Sequence, residues 1–222
     1  MTANLNWVAP GTDVQRSDTM IRTGPSGLLL GPGPDGRPIT IRLFRPEPTR
    51  VFVATRDYMT WVLIFRAVTI GAHITVITAT PRSWTLLVEL VQASGGTIDL
   101  LSSAGSTIPG QGRPYRPSLI VDDLADSDGV RMSLGAWQSV LVLNDAAAGS
   151  AIHTLRACDL ALVSPCDAGT AENLRRGYAL STNQMRQLNN LAENELVVAM
   201  PRRVSRVLMP PTPIEYQLLF KG

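Results

Sequence analysis

Lysine is nearly missing from this chain: Lys221 is the only one, and every other cationic side chain is arginine. High-GC genomes favour arginine codons, and the bias has a chemical consequence. A compact ammonium held inside the fold is unavailable, and the planar guanidinium is not its equivalent. Histidine and cysteine are scarce too. His73 and His153 lie far apart, and Cys158 and Cys166 make no CxxC pair, so no metal-ligand spacing is present. Charge is sparse: 17% of residues are charged and the net charge is +2, too small for a nucleic-acid footprint. The chain also lacks a GxGxxG fingerprint after its first central strand, which counts against a dinucleotide.

Long apolar runs are absent as well. Met59 to Ala79 comes nearest, but it contains Arg66, Gly71 and His73. An arginine in hydrocarbon is costly, and Gly71 before a β-branched run reads as a helix stop. The segment is therefore expected to be a helix followed by a strand, with no stable membrane insertion. Met1 to Pro10 carries no basic stretch followed by an apolar one, so no signal peptide is read and a cytoplasmic location is expected.

Hydrophobic residues make up 45% of the 222, enough for the core of one ordinary domain. Residues 1–24 are weakly periodic and read as an irregular or partly disordered arm, which Trp7 could anchor. Residues 25–215 read as a single α/β domain and 216–222 as a tail. A hairpin is expected from Gly27 to Phe44, turning at Asp35-Gly36. Apolar strands follow at 51–54, 74–77, 98–101, 119–121, 139–143 and 160–163. Helical patterns at 57–71, 81–94, 147–157, 168–178 and 182–192 alternate with them, with Asp57 as N-cap of the first. A second hairpin closes the domain at 196–209. Continuous apolar strands alternating with helices predict a mainly parallel sheet covered on both faces, Rossmann-like or P-loop NTPase-like, with antiparallel hairpins at both ends.

The order of these elements carries a resemblance. The run "LLLGPGPDGRPITIRLF", then "RVFVA", "TRDYMTWVLIFRAVTIGA", "ITVIT", "LIVDD", "SVLVLND", "DLALVSP" and "LNNLAENELVVAMPRRVSRVLM" resembles motor domains of the FtsK/HerA superfamily over residues 27–215. That superfamily includes the ATPases of conjugation and type VII secretion. The arginine-rich, lysine-poor composition is similar to that of small actinobacterial proteins of type VII secretion loci. The resemblance implies a Walker A position at Ala54–Trp61, Walker B-like acids at Asp122 and Asp123, and a sensor-like Asn144.

The chemistry does not follow the resemblance. A phosphate-binding loop needs glycines, a lysine for the β- and γ-phosphates, and a hydroxyl for Mg²⁺. Here Arg56, Asp57 and Thr60 occupy the Walker A position with no glycine and no lysine. Tyr58, Met59 and Trp61 are expected to fill the phosphate space, and Asp57 to repel an anion. No catalytic residue, metal or cofactor is assigned. His153 reads as structural, Ser164-Pro165-Cys166-Asp167 has no histidine partner motif, and the Arg175-Arg176 and Arg202-Arg203 clusters lack interleaved aromatics.

Two functional readings result. One is a non-catalytic, P-loop-like domain that binds protein partners, such as a secretion-system ATPase, a membrane component or another copy of itself. The other is a small-molecule or nucleotide-binding protein whose site lies at the carboxyl ends of the strands, among Thr55, Arg56, Thr78, Asp122, Asp123, Asn144 and Ser164. A polar pocket at that edge would favour the second reading, and an edge plugged by Tyr58 and Trp61 the first.

Overall fold

A strand buried on both faces must be apolar throughout, and the central strands obey this because helices cover both sides of the sheet they form. The computed structural model describes residues 27–102, 110–124 and 131–220. Its large sheet contains β3 (Thr49–Ala54), β4 (His73–Thr78), β5 (Thr97–Leu101), β6 (Ser118–Asp123), β7 (Gln138–Leu143), β8 (Leu160–Val163), β9 (Glu195–Met200) and β10 (Arg203–Leu208). The order is β10-β9-β8-β3-β7-β6-β4-β5. Strands β8 through β5 pair in parallel, and β9 and β10 add an antiparallel hairpin at one end. A separate hairpin, β1 (Leu28–Pro32) with β2 (Pro38–Ile41), forms its own two-stranded sheet.

Strand alternation sorts the core into two layers. Val51, Val53, Leu119, Val121 and Leu141 face α1 (Asp57–Thr69) and α2 (Thr85–Ala93). Phe52, Ile120, Val140 and Val142 face α3 (Ala151–Ala157) and α4 (Ala168–Tyr178). The β1–β2 hairpin puts Leu28, Leu30 and Ile41 into the first layer. Its approach is tight: Gly31, at φ +152°, lies so near β10 that a Cβ would sit 2.0 Å from the Leu208 carbonyl oxygen.

Several local expectations need correction. Asp57 is not the N-cap of α1; Arg56 is, without a side-chain capping bond, and Asp57 lies in the first turn. The 81–94 helix starts as a 3₁₀ turn at Pro81–Trp84, and the 147–157 helix begins only at Ala151. Helix α5 spans only Thr182–Met185 before a 3₁₀ turn at Arg186–Leu188. The tail assigned to 216–222 is largely helical, because α6 (Pro213–Phe220) begins ahead of it and packs on α1. The arm at 1–24, with Trp7, lies outside the described residues. Among the described residues no helix is long and apolar enough to cross a membrane.

Candidate functional site

Parallel strands send their loops out at one edge, and a crevice opens where successive connections leave on opposite faces. Here α1 follows β3 onto one face, while α3 follows β7 onto the other. Strands β3 and β7 are direct neighbours, and β7 lies between β3 and β6. The sheet order therefore brings Ala54–Trp61, Asn144 and the end of β6 at Asp122 and Asp123 to one edge. A cavity of about 480 Å³ opens there, lined by Thr55, Asp57, Thr60, Trp61, Thr80, Ser83, Trp84, Asp123 and Asn144 among others. Its size is that of a small-molecule pocket.

The turn between β3 and α1 is minimal. Strand β3 ends at Ala54 and α1 begins at Asp57, so only Thr55 and Arg56 connect them. A Walker loop sets several residues between strand and helix so that successive backbone N–H groups can point at phosphates. Two residues cannot form that cradle.

Arg56 points away from the cavity. Its Nη1 donates to Ser164 Oγ at 3.2 Å and to the Glu193 carbonyl at 2.5 Å. It lines a second cavity of about 340 Å³ beside Asp145, Ser164 and Asp167, on the α4 side. Thr60 is buried, and its hydroxyl pairs with that of Thr55 at 2.9 Å.

The large side chains of the first turn do not plug the edge, contrary to expectation. The Tyr58 hydroxyl donates to the Glu193 carbonyl at 3.0 Å and to Asn194 Oδ1 at 2.9 Å. Burial raises its pKa above the ordinary tyrosine value, against the lowering effect of Arg56. Met59 is in the core, 1% exposed. Trp61 lies along the cavity wall, with its ring 14° from parallel to that of Phe220. The rings of Tyr58 and Trp61 both contact Phe220 of α6, and the crevice stays open.

The two Walker B-like acids separate. Consecutive strand residues point to opposite faces, so Asp122 and Asp123 do not act as a pair. Asp122 is 1% exposed, and its Oδ1 accepts from the Leu124 amide at 3.4 Å. Asp123 faces the cavity. Its Oδ2 accepts from Trp84 Nε1 at 2.7 Å and Thr78 Oγ1 at 2.9 Å. Trp84, Thr80 and Ser83 were not singled out from the sequence. The only signal for them was position, just beyond the carboxyl end of β4. Asn144 also lines the cavity; its Oδ1 accepts from the Asp145 amide at 2.8 Å.

The remaining sequence candidates fall elsewhere. Ser164 is buried, and its hydroxyl donates to the Glu195 carbonyl at 2.7 Å. Cys158 and Cys166 are both free thiols. Burial pushes Cys158 up to about 12 and Cys166 up to about 11, neighbouring aspartates adding to each. His153 is exposed on α3. Among the described residues no group of three or more His, Cys, Asp or Glu is placed to share a metal ion.

Comparison with solved structures now fits this geometry. VirB4 of Thermoanaerobacter pseudethanolicus superposes with a TM-score of 0.58 at 11% identity, over 88% of this chain and 99% of that one. The genome packaging NTPase B204 from Sulfolobus turreted icosahedral virus 2, in complex with AMPPCP, superposes with a TM-score of 0.52 at 6% identity. That match spans 74% of this chain and 98% of B204. The fold is the α/β, P-loop NTPase-like one. Identity this low carries the fold alone. No family profile and no curated protein matches the sequence. In this frame the turn from Ala54 to Asp57 holds no glycine and no lysine.

Proposed function

We propose that this protein is a non-catalytic, P-loop-like domain that acts by binding a protein partner. The two-residue turn from Ala54 to Asp57 carries this reading. It leaves a triphosphate no cradle of amides. Among the described residues the cavity lining supplies no cation, and it includes the acidic side chains of Asp57 and Asp123. Arg56, the one basic residue of the turn, is committed to Ser164 and Glu193 instead. ATP–Mg²⁺ does not fit such a site. The partner class follows the resemblance: a secretion-system ATPase or membrane component, type VII secretion included, or a further copy of this chain, met in the cytoplasm.

One observation favours the second reading, a small-molecule or nucleotide-binding protein. The crevice at the strand ends is open, polar and large enough for a ligand, and Tyr58 and Trp61 leave it unplugged. Thermal-shift and calorimetric titration with ATP–Mg²⁺ tests the first reading. No saturable shift and no phosphate release are expected. Saturable ATP–Mg²⁺ binding would overturn the non-catalytic reading. Light scattering of the purified chain, alone and with a candidate partner, tests the assembly role.

A further inference from the structure

The crevice at the strand ends has a charge opposite to what a nucleotide requires. Two carboxylates line it, Asp57 and Asp123. The nearest guanidiniums in sequence, Arg56 and Arg82, are not among its lining residues. The N-terminus of α1 contributes roughly half a positive charge, less than a single carboxylate offsets. Asp123 is pre-organised: Thr78 and Trp84 donate to Oδ2, which fixes the carboxylate plane at the cavity wall. The walls also carry two indoles. Trp84 is 5% exposed, and Trp61 is steadied by Phe220.

Carboxylates beside tryptophans in a concave site are the complement of an organic cation. The acids neutralise its charge, and indole rings attract a guanidinium or alkylammonium while tolerating its apolar parts. The hydroxyls of Thr80 and Ser83 and the Asn144 amide add polar contacts on the same wall. An inorganic cation is a poorer match, because the described residues bring no third carboxylate, histidine or thiolate to it.

We infer that the cavity at the carboxyl ends of β3, β6 and β7, walled by the start of α1 and the Pro81–Trp84 turn, binds an organic cation, a guanidinium or alkylammonium group, held between Asp57 and Asp123 beside Trp61 and Trp84. The inference rests on the non-catalytic reading above and deepens it. The cation is either the side chain of a partner protein or a free small molecule, and the chemistry that recognises it is the same.

Isothermal titration of the full chain decides the matter. The probes are tetramethylammonium, arginine amide and the peptide acetyl-Gly-Arg-Gly-amide, with ATP–Mg²⁺ as the anionic arm. Saturable binding of the guanidinium probes is expected, weakening as salt rises. The isosteric double variant Asp57→Asn/Asp123→Asn is expected to lose about tenfold in affinity. Both asparagines keep an acceptor oxygen, and far-UV circular dichroism checks that the variant is folded. Glu89→Gln, which removes a surface charge from α2 outside the cavity, is expected to bind as the wild type does. Peptide binding tighter than that of arginine amide assigns the cation to a partner's side chain; the reverse order assigns it to a small molecule. Absence of saturable cation binding, or equal affinity in the double variant, overturns the inference. If ATP–Mg²⁺ also fails to bind, the non-catalytic reading survives that loss. If ATP–Mg²⁺ binds and the cations do not, both readings fall.

Discussion

Arg66 and Glu215 meet fork to fork: Nε donates to Oε1 at 2.6 Å and Nη2 to Oε2 at 2.9 Å. The pair joins α1 to α6 across 149 residues of sequence. The same guanidinium reaches the carbonyls of Leu29, Leu30 and Pro210. One side chain thus ties together α1, the N-terminal hairpin and the segment leading into α6. Both partners are largely buried, with side-chain exposures of 13% and 9%. Desolvation in such a place is recovered only by bidentate, fully hydrogen-bonded geometry.

Breaking that pair leaves an uncompensated buried charge. Glu215→Ala is expected to lower the unfolding free energy by about 3 kcal/mol, read as a shift in the urea midpoint. Arg66→Met, which deletes the cation but keeps the apolar stem, is expected to cost a similar amount, because Glu215 keeps only the Thr212 amide and three carbonyls lose the guanidinium. A change under about 0.5 kcal/mol in both variants would mean that α6 contributes nothing to the folded state.

Acid should release α6 by the same route. Burial pushes the Glu215 carboxyl up, but hydrogen bonds from Arg66 and Thr212 outweigh it and hold the pKa below the ordinary glutamate value. A carboxyl depressed on folding stabilises the fold above its unfolded pKa, and that contribution is lost as pH falls through the folded value. Stability is therefore expected to be flat above the ordinary glutamate range and to drop below it. Trp61 stacks on Phe220 of α6, so its fluorescence reports the release. In Glu215→Gln this acid component should be missing.

Arg56→Lys supplies the missing ammonium and should still give no ATPase. The turn would remain two residues long, and the carboxylates of Asp57 and Asp123 would remain in the cavity. Phosphate release at background level is the expected result. Turnover above background would show that lysine alone was limiting. The variant also gives up guanidinium contacts to Ser164 and Glu193, for an expected stability loss of about 1 kcal/mol.

Gly31→Ala tests the docking of the hairpin on β10. A methyl group there would lie 2.0 Å from the Leu208 carbonyl oxygen, on a backbone at φ +152°. The backbones would have to separate, and a loss of at least about 1–3 kcal/mol is expected. Gly36→Ala is the comparison: it has positive φ but no atom within 4 Å, so strain without collision should cost less. Equal melting temperatures for the two variants would contradict this contact.

Much of the fold was legible because its signals are local. Each of β3, β4, β6, β7 and β8 is a short apolar run, and only two-sided burial gives runs of that kind a stable place. In the closing hairpin β9 is a run of the same kind, whereas edge strand β10 buries only Val204 and Val207. Helix α6 was missed although its signature is written out. Thr212 and Glu215 form a reciprocal capping pair, and Pro213 is the first helical residue. The two prolines ahead of it read as a tail. In the candidate site, Asp57, Thr60, Asp123 and Asn144 line the crevice at the strand ends. Trp84 was not, because its link to Asp123 spans 39 residues and no local pattern encodes it.

The sequence alone determined that the chain lacks an ammonium group and a glycine cradle at the first strand-to-helix turn, since both are matters of residue identity. It determined the strands and helices through their apolar spacing. Only the tertiary structure decided that β7 inserts between β3 and β6, because strand adjacency is not a local property. It also decided that Arg56 and Tyr58 reach Glu193 and that Trp61 turns to Phe220, and so left the crevice open. Their partners lie more than a hundred residues away, and where a side chain points is settled by what the folded chain brings beside it.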